Sequence, residues 1–137
     1  MREIPGKKYR IFKAALLLGL AGCGFQTDQR EKLQDLDYVI TEEKELPGEL
    51  REILEEKKVE SFRLTYEDGG WLYLCVGYGG QESGGYSISV NQLYLSENAI
   101  YFDTSLIGPK APEAVGGESF PWLAVRTAYV DKPVVFQ

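Results

Sequence analysis

The sequence predicts a mainly β, α+β domain: an antiparallel β-sandwich or partly open barrel of five to six strands, covered by one α-helix. Three observations lead to this prediction. A length of 137 residues, 44% of them hydrophobic, allows one domain with a core and is too short for two. Apolar residues recur at helical spacing between residues 46 and 54. From residue 59 onward they alternate with a period of two, and glycine- or proline-containing turns separate the alternating segments.

The N-terminal region has the layout of a secretory signal. Basic residues precede the apolar run AALLLGLAG (14–22), which is shorter than the roughly 20 residues of a membrane-spanning helix. The run ends in Leu20-Ala21-Gly22-Cys23, which resembles the bacterial lipobox, whose cysteine is lipidated and becomes the first residue of the mature protein. We predict a lipoprotein signal peptide at residues 1–22 and lipidation of Cys23. The alternatives are a plain signal peptide and a short buried helix with a chance cysteine.

This signal predicts a location at the extracytoplasmic face of the bacterial cell envelope, anchored to the membrane by lipid. Residues 23–37 are polar and charged, and we expect them to form a flexible tether. The folded domain is then predicted at residues 38–137, with a short strand at 38–40.

The helix is predicted from Leu46, Leu50, Ile53 and Leu54, which fall on one helical face. Pro47 suits the first turn, and acidic residues near the start and lysines near the end match the helix dipole. We expect this helix to cover the core and to expose an acidic outer face.

The remaining domain is predicted to consist of strands joined by hairpins. The segment 71–78 should be the central strand because it is apolar on both faces, and Glu67–Gly70 should form a turn. Residues 105–121 hold three prolines and three glycines and predict a long loop. Further strands are expected at 61–66, 86–95, 99–104, 122–130 and 134–137.

Composition argues against several classes of function. Without residues 1–22 the chain keeps 10 basic and 20 acidic residues, so it is a poor binder of nucleic acid, and we expect no nucleic-acid partner. Histidine is absent, which removes the commonest general base and imidazole metal ligands. With Cys23 lipidated, Cys75 has no partner for a disulfide and is expected to be a buried apolar residue. We therefore predict a protein that is not an enzyme and uses no metal or cofactor.

The glycine-rich stretch GYGGQESGGYSISV (77–90) is the main candidate site. It is not a phosphate-binding loop, because Gly85 stands where a lysine is required and the alternating SISV predicts a strand instead of a helix. The stretch is either a connecting loop between strands or a loop whose uncovered backbone docks a partner. Trp122 is likewise either a core residue or an aromatic anchor at a binding edge. The candidate binding residues are Gly79, Gly80, Gln81, Ser83, Gly84, Gly85, Tyr86, Pro109, Pro121 and Trp122.

Several runs together resemble one known family. They are YLCVGYGGQESGGYSISV at 73–90, LIGP at 106–109, SFPWLAVRT at 119–127 and DKPVVF at 131–136. These runs, with ELPGELREILEEKK and FRLTYEDGG upstream, resemble the PrcB C-terminal-domain family over roughly residues 38–137. Ser83 stands where the family's pattern has threonine, and Arg126 where it has lysine.

The resemblance implies a small extracytoplasmic β-rich domain, often lipid-anchored, without established catalytic residues. The family is named after a lipoprotein subunit that stabilises a secreted protease complex. The implied function is a non-enzymatic accessory domain that associates with or stabilises another envelope or secreted protein, with a protease as the suggested partner.

Two alternatives stay open. The glycine-rich loop and the Phe120-Pro121-Trp122 segment are also similar to the loops of chagasin-type cysteine-peptidase inhibitors, although the leading Asn-Pro-Thr of those inhibitors is absent. This similarity implies a peptidase inhibitor. Exposed aromatics such as Tyr78, Tyr86 and Trp122 could instead bind an envelope carbohydrate.

Overall fold

Two β-sheets pack face to face in a computed structural model, which describes residues 9–11, 31–110 and 116–137. One α-helix, α1 (Gly48–Lys57), and a short 3-10 helix (Glu43–Glu45) precede most of the strands. The strands, in chain order, are β1 (Tyr9–Ile11), β2 (Lys32–Asp35), β3 (Val39–Ile40), β4 (Ser61–Asp68), β5 (Trp71–Tyr78), β6 (Ser87–Ser96), β7 (Ile100–Ile107), β8 (Trp122–Ala128) and β9 (Val134–Phe136).

The first sheet has the order β1-β4-β5-β8-β3, and the second has the order β2-β6-β7-β9. Neither sheet closes on itself among the described residues, and the predicted mainly β, α+β sandwich is confirmed. Neighbouring strands pair antiparallel except β7 and β9, which are parallel. This parallel pair arises because β8, in the first sheet, lies between β7 and β9 in the chain. Strand β8 carries the chain back, so β9 starts beside the first residue of β7.

Strand β5 is buried on both faces, as the apolar run WLYLCV predicts. Leu72, Leu74 and Val76 pack between the two sheets against residues such as Phe102. Tyr73 and Cys75 point to the other side. There they join a second cluster with Leu46, Leu50, Leu54, Phe62, Leu64, Tyr66 and Ala124. The prediction of a central strand is confirmed.

Helix α1 covers this second cluster. It begins after Pro47 and buries Leu50 and Leu54 on the sheet, which confirms the predicted covering helix. The Tyr66 hydroxyl donates a hydrogen bond of 2.8 Å to Glu49 Oε1 at the start of the helix. Burial and this bond raise the pKa of Tyr66, so the hydroxyl stays protonated and fixes the helix on the sheet.

Nine strands are found among the described residues, more than the five to six predicted. The additional ones are short strands at sheet edges. Strand β2 lies inside the segment predicted as a tether, and all four of its residues are exposed. Its sequence therefore shows no alternation of apolar and polar residues. Backbone pairing with β6 holds the strand in place. The predicted flexible tether, residues 23–37, therefore contains a strand near its C-terminal end.

Strand β1 lies inside the predicted signal peptide and pairs with β4. The rest of that segment, including Cys23, lies outside the described residues. Among the helices that the structure describes, none is long and apolar enough to cross a membrane.

The β4–β5 hairpin turns more tightly than predicted. Both strands extend into the expected turn, until Asp68 pairs with Trp71. Only Gly69 and Gly70 remain as the loop, with φ angles of 59° and 85°. Two consecutive positive φ values are what a two-residue hairpin requires, and glycine adopts them without steric cost.

Gly77 in β5 leaves no room for a side chain. It pairs with Phe62 on one side and Trp122 on the other. A Cβ atom at Gly77 would lie 2.2 Å from Phe62 Cε2. The missing side chain is therefore the space that the Phe62 ring fills.

We expect Gly77→Ala to lower the free energy of unfolding by about 1–3 kcal/mol, because the buried Phe62 ring must move to admit the methyl group. Urea denaturation of the purified protein measures this. Gly48→Ala is the matched control, since no atom lies within 4 Å of its added Cβ. Equal stability of the two variants would contradict the packing argument.

Candidate functional site

Both connections from β5 to β6 and from β7 to β8 lie at one end of the sandwich. Strand β5 ends at Tyr78 next to the start of β8 at Trp122 in the first sheet. In the second sheet Ser87, the first residue of β6, pairs with Ile107, the last residue of β7. The chain thus crosses between the sheets twice at this end. We call residues 79–86, 108–110 and 116–121 the loop end.

The two loops are hydrogen-bonded to each other. Gln81 and Ser119 form an antiparallel bridge, in which the Gln81 N–H donates to the Ser119 carbonyl at 2.8 Å and the Ser119 N–H donates to the Gln81 carbonyl at 3.0 Å. The Ser119 hydroxyl also donates to the Ser83 carbonyl at 2.7 Å. Closer to the sheet, the Tyr78 N–H donates to the Pro121 carbonyl at 3.1 Å. The β5–β8 pairing therefore continues beyond the sheet into the loops.

Gly80 lets the loops approach this closely. A Cβ atom there would lie 2.6 Å from Glu118 Oε2 and 3.3 Å from Phe120 Cε1. Gly85, with a φ of 90°, turns the chain toward β6. These two glycines have identifiable steric roles, so the glycine-rich composition is explained in part by the contact between the loops.

Tyr86 belongs to the same surface. Its ring lies against the backbone of Gly108, since a Cβ atom at Gly108 would be 3.3 Å from Tyr86 Cε2. Pro109 follows directly. The structure thus brings the candidate residues of the first loop into contact with the second loop at two places, around Ser119 and around Gly108.

Trp122 is positioned differently from the other candidates. It packs against the cluster under α1 and is half-buried, so its ring contributes to the core beneath the loop end. Tyr78 is also half-buried, and its hydroxyl lies 2.7 Å from Thr104 Oγ1, which links β5 to β7. Of the aromatic residues considered for carbohydrate binding, only Tyr86 lies in one of the loops.

Glu118 and Ser119 are not among the individually named candidate residues, although they lie in the second predicted loop. Ser119 was part of the run SFPWLAVRT, but its bonding partners, Gln81 and Ser83, lie far away in sequence. Nothing in the sequence pairs these segments, because backbone bridges have no characteristic side chains.

The chemical groups of the loop end favour binding. It offers backbone amides, hydroxyls, the Tyr86 and Phe120 rings and the carboxylates of Glu82 and Glu118. The segment after the glycines is strand β6, so no helix N-terminus is available for a phosphate. Cys75 is fully buried, and burial raises the pKa of its thiol, so it stays protonated and unreactive. Across the described ranges, no three His, Cys, Asp or Glu residues are grouped to hold a metal ion.

We expect Ser119→Ala to loosen the contact between the two loops, because it removes the hydroxyl bond to Ser83 while the backbone bridge to Gln81 remains. Loss of the hydroxyl bond should cost about 1 kcal/mol of stability and leave the Ser83 carbonyl without this partner. Hydrogen exchange by mass spectrometry should show faster exchange over residues 81–85. The exposed Ser87→Ala is the control, and equal exchange in both variants would contradict the coupling of the loops.

Comparison with known proteins gives one match. A sequence model of the PrcB C-terminal family matches residues 72–128, from β5 to the end of β8. No curated protein and no solved structure matches the chain. The resemblance seen in the sequence extended over roughly residues 38–137, and outside the matched range it stays a prediction. Over residues 72–128, which contain both loops of the loop end, the chain is similar to the PrcB C-terminal family.

Proposed function

We propose that the protein is a non-enzymatic accessory lipoprotein, which binds another envelope or secreted protein through the loop end and stabilises it. The observation that carries this proposal is that the family match, at residues 72–128, spans every residue of the loop end. The namesake of the family implies a protease complex as the setting, and a protease is the partner we propose. The protein acts at the extracytoplasmic face of the membrane, held there by a lipid on Cys23.

The direction in which the chain enters the sandwich supports this arrangement. Strand β6 begins at the loop end with Ser87 and finishes at the opposite end with Ser96. Lys32, the first residue of β2, pairs with Ser96. A tether from Cys23 therefore joins the domain at the end opposite the loop end.

The length of this connection limits how far the domain can move from the membrane. Eight residues separate Cys23 from Lys32, and a fully extended chain of that length spans about 30 Å. The anchored domain would then keep its tethered end near the lipid and present the loop end away from it. The excess of acidic over basic residues works in the same direction, because anionic headgroups repel an acidic domain.

The loop end has the chemistry of a protein-binding surface. Tyr86 and Phe120 are aromatic residues that are half-exposed, and such residues are enriched at interfaces. The bridge between Gln81 and Ser119 holds the surrounding backbone in one arrangement, which lowers the entropy lost on binding. A pre-organised surface suits a permanent partner.

A peptidase inhibitor is the second candidate. In its favour, the glycine-rich loop and the Pro121 segment lie side by side, since the Tyr78 N–H donates to the Pro121 carbonyl. Against it, Trp122 packs into the core, so the aromatic residue that follows the proline is not free to enter an active-site cleft.

We expect Cys23→Ala to block lipid attachment and removal of residues 1–22. The variant should keep the mass of the full precursor and should not incorporate an alkyne-labelled fatty acid, whereas the wild-type chain should start at Cys23 and be labelled. Cys75→Ala is the control, because that thiol is buried and predicted to carry no lipid. Unchanged mass and labelling in Cys23→Ala would contradict the lipoprotein proposal.

We expect a photoreactive residue at Glu82 to crosslink a partner protein in intact cells. Glu82 is exposed at the loop end, and the exposed Asn98 lies in the turn at the opposite end as the control. Mass spectrometry should identify the crosslinked chain as a peptidase, and its level should fall in cells that lack the lipoprotein.

The crosslinked peptidase also distinguishes an accessory subunit from a peptidase inhibitor. If the protein is an accessory subunit, adding it to the purified peptidase should prolong the life of the peptidase without lowering its rate of cleavage. A lowered rate would favour the inhibitor. Crosslinks from Asn98 but none from Glu82 would contradict the placement of the binding surface.

A further inference from the structure

Strand β1 occupies the outer edge of β4. Tyr9, Arg10 and Ile11 pair antiparallel with Tyr66, Thr65 and Leu64, and β4 bonds to β5 on its other side. Without β1, strand β4 is the edge of the first sheet. An edge strand presents unpaired N–H and C=O groups, which can add a further strand.

The position of β1 in the chain means that this edge is covered only before processing. Residues 9–11 lie within the predicted signal peptide, so cleavage before Cys23 removes β1 and leaves the edge of β4 open. This step rests on the lipoprotein function proposed above. The precursor thus has a strand on the edge of β4 that the mature protein lacks.

We propose that in the mature protein an extended basic segment of the partner protein takes the place of β1 on the edge of β4. Such strand addition gives affinity through main-chain hydrogen bonds and specificity through alternate side chains. The contact is separate from the loop end and would give the same partner a second point of attachment.

The two faces of β4 define the side chains that the segment needs. Leu64 and Tyr66 are buried on the face that α1 covers, together with Phe62. Residues paired with Leu64 and Tyr66 lie on this same face, because directly opposite residues of an antiparallel pair share a face. Apolar residues at these two alternate positions would extend the cluster under the helix. The residue between them pairs with Thr65 and shares its face with Arg63 and Glu67.

Charge complementarity indicates a basic segment. Strand β4 and the residue before it, residues 60–68, contain three acidic residues and one basic residue. The precursor segment KKYRIFK (7–13), which includes β1, contains four bases and no acid. The strand found on this edge is therefore of opposite charge to β4.

A second copy of the chain fits less well. Each mature chain carries twice as many acidic as basic residues, so pairing two β4 edges brings two acidic domains together. A basic segment of another protein meets no such repulsion. Self-association is accordingly an outcome that the experiment must detect.

The test uses the mature lipoprotein purified in detergent and a labelled peptide of residues 7–13, KKYRIFK. Fluorescence anisotropy measures binding, and hydrogen exchange locates it. We expect the mature protein to bind this peptide about tenfold more tightly than KKRKYIF, which has the same composition without the alternation. Binding should slow exchange of amides in residues 61–68. The Cys23→Ala precursor, which retains β1, should bind about tenfold more weakly than the mature protein.

Two substitutions test the charge argument. Glu67 is exposed near the end of β4. Glu67→Lys adds positive charge there and should weaken peptide binding several-fold, by roughly the loss of one exposed charge pair. Glu97→Lys makes the same change at an exposed turn at the far end of β6 and should leave binding unchanged.

Several results would overturn the proposal. They are equal binding of the two peptides, protection of amides elsewhere than in β4, and equal binding by the mature chain and the precursor. A mature protein that sediments as a dimer and is dissociated by the peptide would instead assign the edge to a second copy. The mass of the purified chain shows whether residues 1–22 have been removed. It therefore distinguishes a failure of the strand addition from a failure of the lipoprotein function on which it rests. A processed chain that fails to bind contradicts only the strand addition, whereas a chain that retains residues 1–22 contradicts both.

Discussion

The burial of β5 on both faces is the constraint on which the rest of the structure depends. One strand that is apolar on both sides needs a layer on each side, and the chain supplies α1 on one and the second sheet on the other. To build the second sheet directly after β5, the chain must leave the first sheet at Tyr78 and return to it at Trp122. Both crossings therefore fall at the same end, and the loop end is a consequence of the core.

The parts of the fold that the sequence could predict are those whose side chains carry the signal. The run WLYLCV identified β5, and the spacing of Leu46, Leu50 and Leu54 identified α1. The two glycines after Asp68 identified the hairpin, although its exact length followed only from the pairing of Asp68 with Trp71. The candidate loops were also placed correctly relative to β5, β6 and β8, because the strands around them alternate clearly.

What the sequence could not predict depends on backbone pairing between distant segments. Strand β2 is exposed and polar, so it has no recognisable period. The bridge between Gln81 and Ser119 joins main-chain groups, and the hydroxyl of Ser119 bonds a carbonyl that any residue could provide. The sequence leaves Trp122 open between core and surface because the first position of β8 suits both, and its packing against the cluster under α1 places it in the core.

The pairing of Trp122 with Gly77 connects the loop end to the interior. Gly77 has no side chain, so the ring of Phe62 from β4 fills the space beside it. Trp122 from β8 pairs with Gly77 and packs against the same cluster under α1. Trp122 is also the residue at which the second loop ends, directly after Pro121, whose carbonyl accepts the bond from Tyr78. The two loops thus join the close-packed core where they meet β5 and β8, and they are hydrogen-bonded to each other beyond it. Because close-packed cores deform little, the core fixes the points at which the two loops begin and end. The position of the loop end therefore follows from the packing of β5 and its neighbours.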